Sequence, residues 1–192
     1  MRSFDLEDLP VEGTPDDLAT PVTPWVDQGR QAAYGGQLDR CQDFRSVFNL
    51  VKRSVKEALN RERTGLLLYL RDLPLQVGAY HQLGTNAIIL NRVLLEQVVQ
   101  TTVSRAEVNA FLYYILLHEY LHTLGFVDER RVRALTAEIT TATFGPRHVA
   151  TRMATEGPWA RIKLHPYAAP RVYERAVEIV RDFEDPPFTY IV

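Results

Sequence analysis

Residues 118 to 129 read His-Glu-Tyr-Leu-His-Thr-Leu-Gly-Phe-Val-Asp-Glu, and no other stretch constrains the fold as tightly. The pattern is H-E-x-x-H-x-x-G-x-x-D. Residues four apart share one face of a helix, so His118 and His122 point the same way and can share one metal ion. Such ligands keep their geometry only on a firmly packed helix, so this run must sit against a core. Glu119 lies beside the first histidine and is no ligand in this pattern. Its carboxylate is placed to act as general base toward an attacking water and then as proton carrier. Gly125 ends the helix by supplying a left-handed conformation that other residues resist. The chain can then turn back toward the ion, and Asp128 is the first residue placed to give a third ligand. A catalytic zinc takes three protein ligands and keeps a fourth position open.

The motif resembles that of the zincin metallopeptidases, and Gly125 followed three residues later by a ligand is similar to their metzincin extension. An aspartate in place of the usual third histidine is similar to the snapalysin-type bacterial proteases. The resemblance covers the motif and the coarse order of elements around it. It implies an α+β, minimal zincin-like fold, a small mixed sheet packed on helices. It also implies Zn2+ on His118, His122 and Asp128, and peptide-bond hydrolysis with Glu119 as base on a peptide or protein substrate. Asp128 equally suits the N-cap of the next helix. In the gluzincin arrangement the third ligand is a Glu on a following helix, and Glu129 and Glu138 flank the apolar face of Val132, Leu135 and Ile139 there. His148, after the Gly145-Pro146 stop, is a fourth candidate. Met153 falls where a Met-turn would lie beneath the metal, although core filling explains it as well. No feature selects Tyr120, Tyr167 or Tyr173 as an oxyanion donor. The alternative function is a zinc-binding regulatory or interaction module that keeps the site without cleaving.

At 192 residues the chain is long enough for one domain with a real core. A formal net charge of -2 gives no reason to expect nucleic acid or an anionic membrane as partner. The single cysteine, Cys41, excludes an internal disulfide and reads as a small packed residue. The N-terminus is acidic from its fifth residue and lacks the apolar stretch of a secretory signal. The longest apolar run, Phe111 to Leu117, is too short to span a bilayer. These features point to a cytoplasmic location.

Residues 1–36 read as an acidic, proline-interrupted extension closed by a Gly35-Gly36 hinge, residues 37–155 as the catalytic domain and 156–192 as a C-terminal extension. Apolar residues at helical spacing predict a long amphipathic helix from about Asp39 to Arg61. Short strands are expected at 66–70, 77–80 and 87–90, with Leu83-Gly84-Thr85 as a hairpin turn. Of these, 87–90 is the expected edge strand lining the cleft, where a peptide would add its own strand. Asn91 caps a helix to about Gln100, and Ser104 with Glu107 forms a capping box that starts the metal helix. A helix over 129–143 follows, and Pro170 opens a last helix through Val172, Ala176, Ile179 and Val180. Phe188 to Val192 form an extended apolar tail. Either tail is a candidate to occupy the cleft and keep an enzyme latent.

Overall fold

The computed structural model describes residues 27–102, 104–160, 162 and 175–184. The elements run α1 (Gln28–Asp39), α2 (Phe44–Leu59), β1 (Leu67–Arg71), β2 (Ala79–His81), β3 (Ala87–Asn91), α3 (Arg92–Thr101), α4 (Arg105–Thr123), α5 (Glu129–Phe144), α6 (Val149–Glu156) and β4 (Glu178–Ile179). A 3-10 turn over Pro158–Ala160 follows α6. The class is α+β, with a four-stranded mixed sheet of order β2-β3-β1-β4. β1 and β3 are parallel, pairing Leu68 with Ile88, whereas β2 and β4 run antiparallel to their neighbours. Among the described residues no helix is long and apolar enough to cross a membrane.

Helix α4 lies at the centre, with α1, α2, α5, α6 and β2 packed around it. Its composition explains why: Phe111, Leu112, Tyr113, Ile115, Leu116, Leu117, Tyr120 and Leu121 leave no side fit for water. The buried phenol of Tyr113 shares a 2.6 Å hydrogen bond with Ser54 Oγ of α2. The ring of Phe144 at the end of α5 stands edge-on to Tyr113 with centroids 4.7 Å apart. Ser104 caps the helix, its Oγ accepting from the Glu107 amide at 3.3 Å.

Three expectations need correction. Residues 28–39 form α1 within the stretch read as an extension, and Gly35-Gly36 lie inside that helix. The reason is tertiary: a Cβ on Gly35 would stand 3.1 Å from the His148 ring, so glycine lets α1 approach α6 closely. Tyr34 packs edge-on to Phe144 on the same side. Second, beyond the Gly145-Pro146 stop the chain forms α6, an element not among those expected, with His148 as its N-cap. Third, Ile179 belongs to β4, paired with Tyr69, rather than to a helix, and Glu178 pairs with Leu70. The expected start of that helix at Pro170 and Val172, the N-terminal prolines and the 188–192 tail all lie outside the described residues, so the idea of tail latency does too.

Asn91 does more than cap α3. Its Oδ1 accepts from the Leu94 and Leu73 amides at 3.3 and 3.2 Å. Its Nδ2 donates to the carbonyls of Leu73, Pro74 and Val77 at 3.1, 3.0 and 2.8 Å. One fully buried amide thus ties the 72–78 loop, which leads into β2, to the end of β3. Asn91→Ala would strand these groups, and we expect a loss of about 2–4 kcal/mol, read by urea unfolding. A loss no larger than that of an ordinary exposed N-cap would contradict this bracing role.

At the end of β1, Asp72 accepts from Arg92 Nε at 2.8 Å and from Arg175 Nε and Nη2 at 3.0 Å each. The Arg92 bond above all, with Arg175 behind it, holds this carboxyl well below the usual range against the opposing effect of desolvation. A depressed folded value contributes stability above the unfolded aspartate pKa of about 3.9 that is lost as pH falls below it. Unfolding free energies should therefore drop between pH 5 and 2 by more in the wild type than in Asp72→Asn. Parallel pH profiles would refute the assignment.

Candidate metal centre

His118 and His122 project from one side of α4, their ring centroids 5.0 Å apart. The helix ends at Thr123, and Gly125 adopts φ +96°, the left-handed conformation expected of it. Buried Phe126 then anchors the turn, its amide donating to the Leu121 carbonyl at 3.3 Å. The Phe126 carbonyl lies 2.8 Å from His122 Nδ1. A carbonyl only accepts, so Nδ1 carries the proton and Nε2 keeps its lone pair for a metal. His118 Nδ1 is buried and has no such partner.

Glu129 completes a group with the two histidines. Its Oε1 stands 3.4 Å from His118 Nε2 and its Oε2 3.4 Å from His122 Nε2. One ligand atom from each of His118, His122 and Glu129 lies within 4.8 Å of the others, so the group can hold a metal ion. Two ligands each 2.0–2.1 Å from a tetrahedral zinc stand roughly 3.4 Å apart, which fits the carboxylate's placement. Two imidazoles and one carboxylate also form a donor set known for zinc with an open fourth position.

Asp128, the expected third ligand, takes the competing role. Its Oδ1 accepts from the Arg131 amide at 2.7 Å as the N-cap of α5. The extended backbone of an N-cap turns the side chain onto its own helix, and the next residue, at the first helical position, faces the histidines. Glu138 pairs with Arg131 at 3.7 Å. His148 caps α6, its Nδ1 accepting from the Ala150 amide at 3.2 Å, and stacks on Phe144. Neither joins the group. Met153 is a buried residue of α6, and Tyr120 Oη is bonded to Arg63. Arg133, absent from the sequence reading, donates from Nε to Glu129 Oε1 at 2.9 Å. The attraction of His118 and Arg133 holds the Glu129 carboxyl below its ordinary value, although desolvation pushes the other way.

Glu119 is only 5% exposed. Burial pushes its carboxyl up to about 8, the charge of Glu129 adds to the shift, and a hydrogen bond from the His81 main chain opposes it. Burial likewise lowers His118. A dication within the group would favour the ionised form of both carboxylates.

The strand beside the group is β2, not β3, which is interior to the sheet. The Asn91 amide donates to the Gly78 carbonyl at 2.9 Å, so the main chain of Gly78, and by alternation that of Tyr80, faces β3. The Ala79 and His81 main-chain groups face away from β3, on the open edge. A cleft of about 780 Å³, walled by Phe111, Tyr114, Ile115 and Trp159, opens on one side of His118 and Glu119. A hollow of about 390 Å³, reaching Tyr80, Leu83, His122 and Val127, opens on the other.

Compared with protein-family models, with curated proteins and with solved structures, the chain gives no match, so its likeness to known chemistry rests on this geometry.

Proposed function

We propose that the chain is a zinc-dependent metallopeptidase. The observation that carries this reading is a buried carboxylate, Glu119, next to a His-His-Glu group in an open cleft whose wall is the free edge of β2. Bound at His118, His122 and Glu129, zinc supplies an electrophile that polarises a carbonyl and makes water a stronger nucleophile near neutral pH.

The chain's own residues do the rest. An extended peptide lies along β2, bonded to the outward main-chain groups of Ala79 and the His81 carbonyl, with side chains to either side of the group. Water oxygen attacks the scissile carbonyl carbon while Glu119 takes its proton. Glu119 then passes that proton to the departing nitrogen as the C–N bond breaks, leaving a carboxylate and an amine.

Purified chain should carry close to one zinc, and Glu129→Ala should lower its affinity by more than the roughly 10–100-fold typical of losing an outer-shell partner. Asp128→Ala should keep the zinc and cost about 1 kcal/mol of stability as a lost N-cap. Elemental analysis with chelator competition measures both; loss of zinc from Asp128→Ala but not from Glu129→Ala would reverse the ligand assignment.

Glu119→Gln should retain zinc, because the amide is close in size and the ligands remain. Its cleavage of an unfolded protein or a mixed peptide library should fall by about 10² to 10⁴, the usual worth of a general base. Chelator-sensitive cleavage undiminished in this variant would falsify the mechanism. A wild type as inert as Glu119→Gln would favour the non-cleaving zinc module.

A further inference from the structure

Two contacts hold β2 against α4, one at each end of the strand. At its start, Gly78 crosses the helix so closely that a Cβ there would lie 2.8 Å from Ile115 Cδ1. At the other end, the β2–β3 turn is braced from within. The Thr85 amide and hydroxyl both donate to the Gln82 carbonyl, at 3.1 and 2.7 Å, and the Ala87 amide donates to Thr85 Oγ1 at 3.2 Å. The turn therefore moves as a unit with β2.

Arg63, in the loop between α2 and β1, joins that unit to the metal helix. Its Nη2 donates to the Thr85 carbonyl at 2.9 Å and to Asn86 Oδ1 at 2.8 Å. Its Nη1 donates to the Thr123 carbonyl at 2.6 Å, at the last residue of α4 and one beyond His122. That carbonyl belongs to the final helical turn, which has no partner within the helix and attracts a cation. The residue's own main chain is pinned to the same helix: its amide donates to Tyr120 Oη at 2.8 Å, and Tyr120 Oη donates to its carbonyl at 3.2 Å. The planar guanidinium reaches three acceptors on two elements at once, which a lysine ammonium on a flexible stem does not reproduce.

These elements are the two sides of the cleft at its His122 end. Leu83 in the turn and Val127 beyond α4 are 67% and 54% exposed and face the same hollow. We propose that Arg63 is a positioning residue for the hydrolysis: it sets the spacing between the edge of β2 and the metal helix, and with it the fit of an extended substrate backbone. The inference rests on the metallopeptidase reading. Arg63 touches no substrate and no metal ligand side chain, and it acts through the turn.

The test uses full-length Arg63→Gln and Arg63→Lys with three readouts. Zinc content should match the wild type, because the ligands sit on α4 and α5. Amide hydrogen exchange over residues 79–86 should quicken while the interior of α4 keeps its protection. The ratio of kcat/KM for a long unstructured peptide to that for a blocked dipeptide should fall about tenfold, mainly through KM, which is what one charge-assisted hydrogen bond is worth. Arg63→Lys should recover part of both effects. Equal losses on both substrates with faster exchange throughout α4 would mean that Arg63 only stabilises the fold, and unchanged exchange over 79–86 would overturn the proposal outright. If the wild type cleaves neither peptide, the metallopeptidase reading falls, and the exchange result alone then decides whether Arg63 clamps the turn to the helix.

Discussion

Burial of α4 on every side but the cleft fixes the backbone from which His118 and His122 project, and the rest of the site follows from it. Leu116, Leu117 and Leu121 are fully buried between and around the histidines, and each such side chain contributes roughly 1.5–3 kcal/mol on leaving water. The helix also carries two phenols inward, Tyr113 and Tyr120, and both find partners, in Ser54 and in the main chain of Arg63. Desolvation therefore costs little at those positions, and it raises the phenol of Tyr120 to about 12, so that it serves as a neutral hydrogen-bonding group. A helix held this way can keep two imidazoles aimed at one point. A helix on the surface would lose that aim through rotation and fraying.

Local signals made much of this legible in the sequence. The apolar surround of α4, its Ser104 cap, the Asn91 cap of α3, the 83–85 turn and the Gly125 stop each follow from residues within a few positions of one another, and each lies where expected. The misses in the fold depend on distant partners. Gly35-Gly36 reads as a hinge until His148 is seen packed against Gly35. Val77 to Tyr80 and Ala87 to Leu90 are both strand-like, and only the pairing of β3 with β1 makes β2 the edge. Ile179 has helical spacing to its neighbours, yet it pairs with Tyr69.

The third ligand is the sharpest case, because both outcomes were written in adjacent residues. Asp128 has the spacing of one ligand pattern and Glu129 the chemistry of another. What separates them is hydrogen bonding: the first turn of α5 has free amides, the shorter side chain at the cap position reaches the Arg131 amide, and the longer one beyond it is left to face the histidines. The cap contribution also serves the ligand, since it fixes the first turn of α5 and hence the backbone that carries Glu129. Arg133, one turn on, bonds the same carboxylate and restrains its orientation, though its 71% exposed side chain makes the pair weak on its own.

The electrostatics of the group point in one direction. Two carboxylates, Glu119 and Glu129, stand close together in a partly desolvated cleft, and burial together with the charge of Glu129 makes ionisation of Glu119 harder. Natural cores seldom keep a carboxylate as buried as Glu119 without a cation at hand. Arg133 lies on the Glu129 side and is too exposed to fill that role for Glu119. A dication between the two histidines and Glu129 would face both acids at once, offsetting the desolvation of Glu119 and the repulsion from Glu129 with a single charge. The same charge would leave Glu119 ionised near neutral pH and able to accept a proton, so the feature that makes the fold costly here is the one that makes the chemistry available.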